Sequence, residues 1–88
     1  MKIKGDLVLR EIMDEYMIIP MGERLLEFNG ISKLNESGVL LWRILEKGAT
    51  HEMLVAALLE EYDVDRAQAE IEVNNFLEAL KANQMLEE

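Results

Sequence analysis

The sequence predicts an α+β domain, a three-stranded antiparallel sheet followed by three helices in the order β-β-β-α-α-α. Three observations carry this. Residues 7–34 fall into short, alternating, β-branched segments, and from Asn35 onward apolar residues recur at helical spacing. One polar stretch, Asn35-Glu36-Ser37-Gly38, separates the two patterns. With 88 residues, the chain reads as one domain over 1–88, large enough to bury roughly 60–65% of its unfolded surface.

The first strand is "LVLREIM", with Val8, Arg10 and Ile12 on one face and Leu7, Leu9 and Glu11 on the other. The second is "EYMIIPM", β-branched and aromatic, where Pro20 marks an edge or a strand terminus. Asp14-Glu15 supplies a tight turn between them, and Met21-Gly22-Glu23-Arg24 supplies the next. In "RLLEFNGISKLN" the Asn29-Gly30 pair is a strong hairpin signal. Residues 22–30 therefore read either as one irregular strand or as a small extra hairpin, with Ile31–Leu34 extended in both cases.

Asn35 then caps the first helix, its side-chain oxygen accepting a first-turn N–H, and Glu36 complements the helix dipole. That helix ends at Lys47-Gly48, where glycine can take a positive φ. It is apolar almost all round (Val39, Leu40, Leu41, Trp42, Ile44, Leu45), the pattern of a central helix with the sheet on one side and helices on the other. Thr50 caps the second helix, whose stripe is Leu54, Ala57, Leu58 and Tyr62. Asp63 or Asp65 caps the third, and Asp65 with Gln68 resembles a capping box. Ala69, Val73, Phe76, Leu77 and Leu80 form its core face, while Val64, Ala67, Ile71, Asn75, Glu78 and Ala82 lie opposite. Three strands beside three helices is a winged-helix-like layout, with the strands first.

Composition narrows the function classes. Half the residues are apolar and 31% are charged, as in an ordinary soluble domain. There is no cysteine, hence no disulfide and no thiolate metal site. The start carries Asp6, Arg10 and Glu11 within its apolar residues, unlike a signal peptide, and no stretch approaches a membrane span. A cytoplasmic protein is expected. Residues 1–33 hold five Lys/Arg against six Asp/Glu, a net of −1, and residues 34–88 hold four against twelve, a net of −8. Such a surface repels phosphate backbones, so nucleic acid is not an expected partner.

Catalytic constellations do not emerge. Ser37 lacks a G-x-S-x-G elbow, and the single histidine, His51, reads as a surface residue in a helix's first turn. One histidine with scattered carboxylates is also not a metal site, because ligands converge in threes or fours. An acyl carrier would share the acidity and a serine at a helix start. Its Asp-Ser-Leu attachment motif is replaced here by Glu36-Ser37-Gly38, and the first third is strand-like instead of helical.

"LNESGVLLWRILEKGAT" followed by "LLEEYDVDRAQAEIEVNNFLEAL" resembles the PqqD-like family, named for protein D of pyrroloquinoline quinone biosynthesis. The matching residues are Leu34, Asn35, Gly38, Trp42, Leu45, Gly48 and Thr50, then Val73, Phe76, Leu77 and Leu80. Ser37 stands where threonine is frequent. The resemblance covers about residues 6–86 and implies a RiPP recognition element, a non-enzymatic peptide chaperone. Such a protein binds the leader of a ribosomally made precursor peptide and presents it to a modifying enzyme, often a radical SAM enzyme with its own iron–sulfur clusters. It further implies that the leader adds as a strand beside the third strand, against the third helix. On this sequence that places peptide binding at Gly30, Ile31, Ser32, Lys33 and Leu34, and at the side chains of Ile71, Asn75 and Glu78. No cofactor, metal or membrane is implied. Two other readings compete: a winged-helix transcription regulator, which would need a basic surface, and a docking or oligomerisation module without a peptide. Unpaired strand edges would also let two copies pair as a homodimer.

Overall fold

The computed structural model describes residues 1–21 and 32–87. Strands β1 (Lys2–Ile3), β2 (Leu7–Ile12), β3 (Glu15–Pro20) and β4 (Ser32–Leu34) precede helices α1 (Glu36–Lys47), α2 (His51–Glu61) and α3 (Arg66–Ala82), and β5 (Leu86–Glu87) closes the order. Strands β2, β3 and β4 form the expected three-stranded antiparallel sheet with β3 central. The expected turn at 21–24, the choice between strand and hairpin over 22–30, and Gly30 and Ile31 lie outside the described residues, apart from Met21.

The β2–β3 hairpin turns one residue earlier than the sequence suggests. Ile12 pairs with Glu15, which leaves Met13 and Asp14 as a two-residue loop. Both have positive φ, 51° and 68°, as a type I′ turn requires. Asp14 tolerates this region, whereas Met13 has no local hydrogen bond to favour it. Its side chain is 92% exposed. Glu15 thus belongs to the strand. Pro20 ends the central strand, so of the two roles open to it the terminus applies.

The three helix caps form as the residues dictate. Asn35 Oδ1 accepts the Gly38 N–H at 2.8 Å, Thr50 Oγ1 the Met53 N–H at 3.2 Å, and Asp65 Oδ1 the Gln68 N–H at 2.8 Å. Gly48, at φ 97°, ends α1, and its N–H donates to the Leu45 carbonyl at 3.1 Å. A Cβ on Gly38 would lie 3.0 Å from Asn35 Oδ1, so the bare backbone there lets the cap close.

Trp42, Leu45, Leu54, Val55, Leu58, Ala69 and Val73 are fully buried, together with Ile18 of β3 and Leu41 of α1. Burial of a ring the size of Trp42 is worth roughly 2–3 kcal/mol. Helix α1 touches β1, β4 and α2, and α2 packs along α3, which makes α1 the central helix. His51, half-buried at the start of α2, ties that helix to α3 through Asn74 Oδ1 at 2.7 Å from Nε2.

A second, two-stranded sheet joins the two ends of the chain, an element with no counterpart in the sequence reading. Strand β1 pairs antiparallel with β5, Lys2 opposite Glu87 and Ile3 opposite Leu86. Met1 extends the clamp by exchanging backbone bonds with Ala49: its ammonium donates to the Ala49 carbonyl at 3.1 Å, and its carbonyl accepts the Ala49 N–H at 2.8 Å. Ile3, Met85 and Leu86 thereby join the core beneath α1 and α3. Two-residue strands carry too little sequence to show a period, and their partners come from opposite ends of the chain.

Candidate peptide-binding edge and cleft

The register of the sheet fixes which backbone groups of β4 face outward. Hydrogen-bonded pairs alternate with non-bonded pairs along an antiparallel ladder. The two-residue loop closes on Ile12–Glu15 as a bonded pair, so Glu15, Met17 and Ile19 bond toward β2. The Met21 N–H, donated to the Asp6 carbonyl at 2.8 Å, continues the same parity. Tyr16 and Ile18 therefore bond toward β4, where they face Leu34 and Ser32. Lys33, opposite Met17, is left with its N–H and C=O turned away from β3. Among the described residues β4 pairs with β3 alone. Its Lys33 side chain meets Glu15 at 3.1 Å in an exposed ion pair.

A trough begins beside this strand and passes around the first turn of α1 to α3. Its largest part, about 540 Å³, lies between the hairpin tip and the start of α1. Asp14, Glu15, Glu36 and Lys33 supply its charge, and Tyr16, Leu34 and Val39 its apolar wall. Arg43 lies 5.8 Å from the centroid of the Tyr16 ring, within cation–π range. A second part of about 250 Å³ shares Asn35 and Glu36 with the first and adds Ser37, Tyr62, Val64 and Glu72. A third, about 290 Å³, runs between α1 and α3 over Gly38, Leu41, Glu72, Asn75 and Phe76. The Tyr62 phenol is pushed above its ordinary range by burial, with the carboxylates of Glu36, Glu61 and Glu72 adding to the effect.

Of the residues singled out from the sequence, Ser32, Lys33 and Leu34 stand together in β4 and Asn75 lines the trough. Ile71 and Glu78 are exposed on α3 and line none of the three parts. Glu72 and Phe76, which do line it, are absent from the binding set read from the sequence: Phe76 belongs to the core face there, and Glu72 to neither of the two faces named. The available signal was their spacing, four residues apart on the border between the core stripe and the opposite face. Among the described residues no three His, Asp or Glu side chains converge as metal ligands, and no helix is long and apolar enough to cross a membrane.

A strand edge that no described residue pairs, beside a helix-lined trough on a three-strand, three-helix frame, defines a small domain suited to receiving an extended segment. The chain belongs to the family of coenzyme PQQ synthesis protein D (PqqD), whose family model matches residues 15–86. It is similar over 99% of its length, and 95% of the other chain, to TbiB1 in complex with the TbiA(β) leader peptide, with 33% identity and a TM-score of 0.79. It also shares its fold with a lasso peptide synthetase B1 complexed with a leader peptide, at 20% identity and TM-score 0.75, over 96% of this chain and 93% of that one. No curated protein matches the chain.

Proposed function

We propose that this chain is a single-domain, non-enzymatic adaptor that captures the leader of a ribosomally made precursor peptide and presents it to a modifying enzyme. The observation that carries the reading is the likeness to TbiB1, which spans nearly the whole of both chains and concerns a leader-peptide complex. The leader adds as a strand along β4, bonding to the backbone of Lys33, and lays alternate side chains into the trough. Ser32 to Leu34 form the receiving strand, with Gly30 and Ile31, which lie outside the described residues, kept as binding positions by the family resemblance, and α3 contributes Asn75, with Ile71 and Glu78 flanking. A radical SAM enzyme is the partner class that the family resemblance suggests.

The non-catalytic part is supported by how the candidate nucleophile and base are engaged. The Ser37 hydroxyl donates to Asn35 Oδ1 at 3.2 Å, inside the cap of α1, while His51 is bonded to Asn74. The test is a titration of isotope-labelled protein with the leader peptide encoded beside its gene, followed by amide shifts. Saturating shifts at Ser32–Leu34 and along the trough side of α3 are expected. A folded protein that binds the leader no better than a scrambled version would overturn the reading.

A further inference from the structure

The trough carries negative charge that the described residues leave unbalanced. Three surface carboxylates have a cation at hand: Arg66 holds Glu52 at 2.6 Å and reaches Glu70 at 4.0 Å, and Lys33 meets Glu15. What sets Glu36 and Glu72 apart is the cleft they share: among the described residues no lysine or arginine lines that cleft or its continuation over Phe76. Glu36 sits in the first turn of α1, where the helix dipole favours it. Glu72 has no such help, being in the middle of α3 and half-buried. Tyr62 lines the same cleft, its phenol raised first by burial and then by the carboxylates of Glu36, Glu61 and Glu72.

We propose that the peptide seated in this trough presents a basic side chain, lysine or arginine, to Glu72, with Glu36 in the same cleft as the second carboxylate. This rests on the leader-peptide reading and deepens it, by naming the chemistry that distinguishes the cognate leader from other extended peptides. The walls suit such a side chain along its length. Val64, Phe76 and the ring of Tyr62 offer apolar surface to its methylene stem, and the carboxylates receive its charged head. Main-chain bonds to β4 would accept almost any sequence, so a charge set at one place along the trough supplies identity.

The probe is a synthetic peptide with the sequence of the leader encoded beside the gene, made in its native form and with each Lys/Arg replaced by glutamine. The native form is expected to bind the wild-type protein about tenfold more tightly than the glutamine form, the value of one tenfold step being about 1.4 kcal/mol. Glu72→Gln is expected to lose the same tenfold toward the native peptide and to bind the glutamine form as the wild type does. Raising salt should weaken the native complex and hardly change the other. Equal binding of both peptides by the wild-type protein overturns the proposal while leaving leader binding intact, and this comparison needs no variant that might fold poorly. A native leader that does not bind overturns the leader reading, and this proposal with it.

Discussion

Replacing Lys33 with proline should separate the edge of β4 from the rest of the fold. By the alternation of the ladder, the N–H of Lys33 points away from β3, so Lys33→Pro removes an outward donor and no bond of the sheet. What the sheet loses is an exposed ion pair with Glu15, worth at most about 1 kcal/mol. An added peptide loses more. One main-chain bond is worth about 0.5–1.5 kcal/mol net, and the peptide carbonyl left without a donor beside the proline ring costs about 1–3 kcal/mol. Together these give about 1.5–4.5 kcal/mol, a weakening of about 10- to 2,000-fold. Lys33→Ala, which keeps the N–H, should change binding by no more than about threefold. Calorimetric titration with the leader gives the affinities, and urea unfolding shows whether the variant retains its fold. A folded Lys33→Pro protein that binds like the wild type would refute strand addition at this edge.

Four further outcomes concern the frame. Trp42→Ala should remove about 3–5 kcal/mol from a domain whose whole stability is about 4–13 kcal/mol, so urea unfolding should show a midpoint far below wild type. Asp65→Ala, which deletes the acceptor of the Gln68 N–H, should cost about 1 kcal/mol and lower the melting temperature by about 4–8 °C. The double change Met13→Asn with Asp14→Gly fits the type I′ turn and should raise stability by about 0.5–1 kcal/mol in the same assay; a loss would contradict the positive φ of both residues. Glu52 has a lowered carboxyl pKa, caused first by its hydrogen bond from Arg66. Its contribution is present above the ordinary glutamate pKa and disappears as pH falls through the lowered folded value. The wild type should therefore lose its small advantage over Glu52→Gln in acid, below about pH 4, as unfolding midpoints across pH would show.

Much of the frame was legible because its signals are local. Asn35, Thr50 and Asp65 each accept the N–H three residues on, a contact written entirely within one turn of chain. The apolar stripe of α3 likewise depends only on helical spacing, and four of its five residues are buried. What escaped depends on distant partners. The β1–β5 pair joins opposite ends of the chain through two residues on each side. The hairpin placed Met13 in a conformation for which its side chain gives no signal. Glu72 and Phe76 became trough residues because of where the first turn of α1 lies against α3, and a helical wheel of α3 alone contains no information about α1.

This division also accounts for where the recognisable residues fall. Asn35, Gly38, Trp42 and Gly48 build the cap, core and end of α1, the helix against which β1, β4 and α2 all rest. On the proposed reading the strand edge needs only a correctly oriented backbone, so affinity can be drawn from Lys33 N–H and C=O whatever its side chain. Identity must then come from side chains facing the trough, which no packing requirement fixes. A shared frame can thus carry different leaders by exchanging residues such as Glu72 and Asn75, while α1 stays as it is. It follows that charge reversal at Glu72 should alter which leader is preferred, whereas a change at Trp42 should alter only whether there is a folded protein to prefer one.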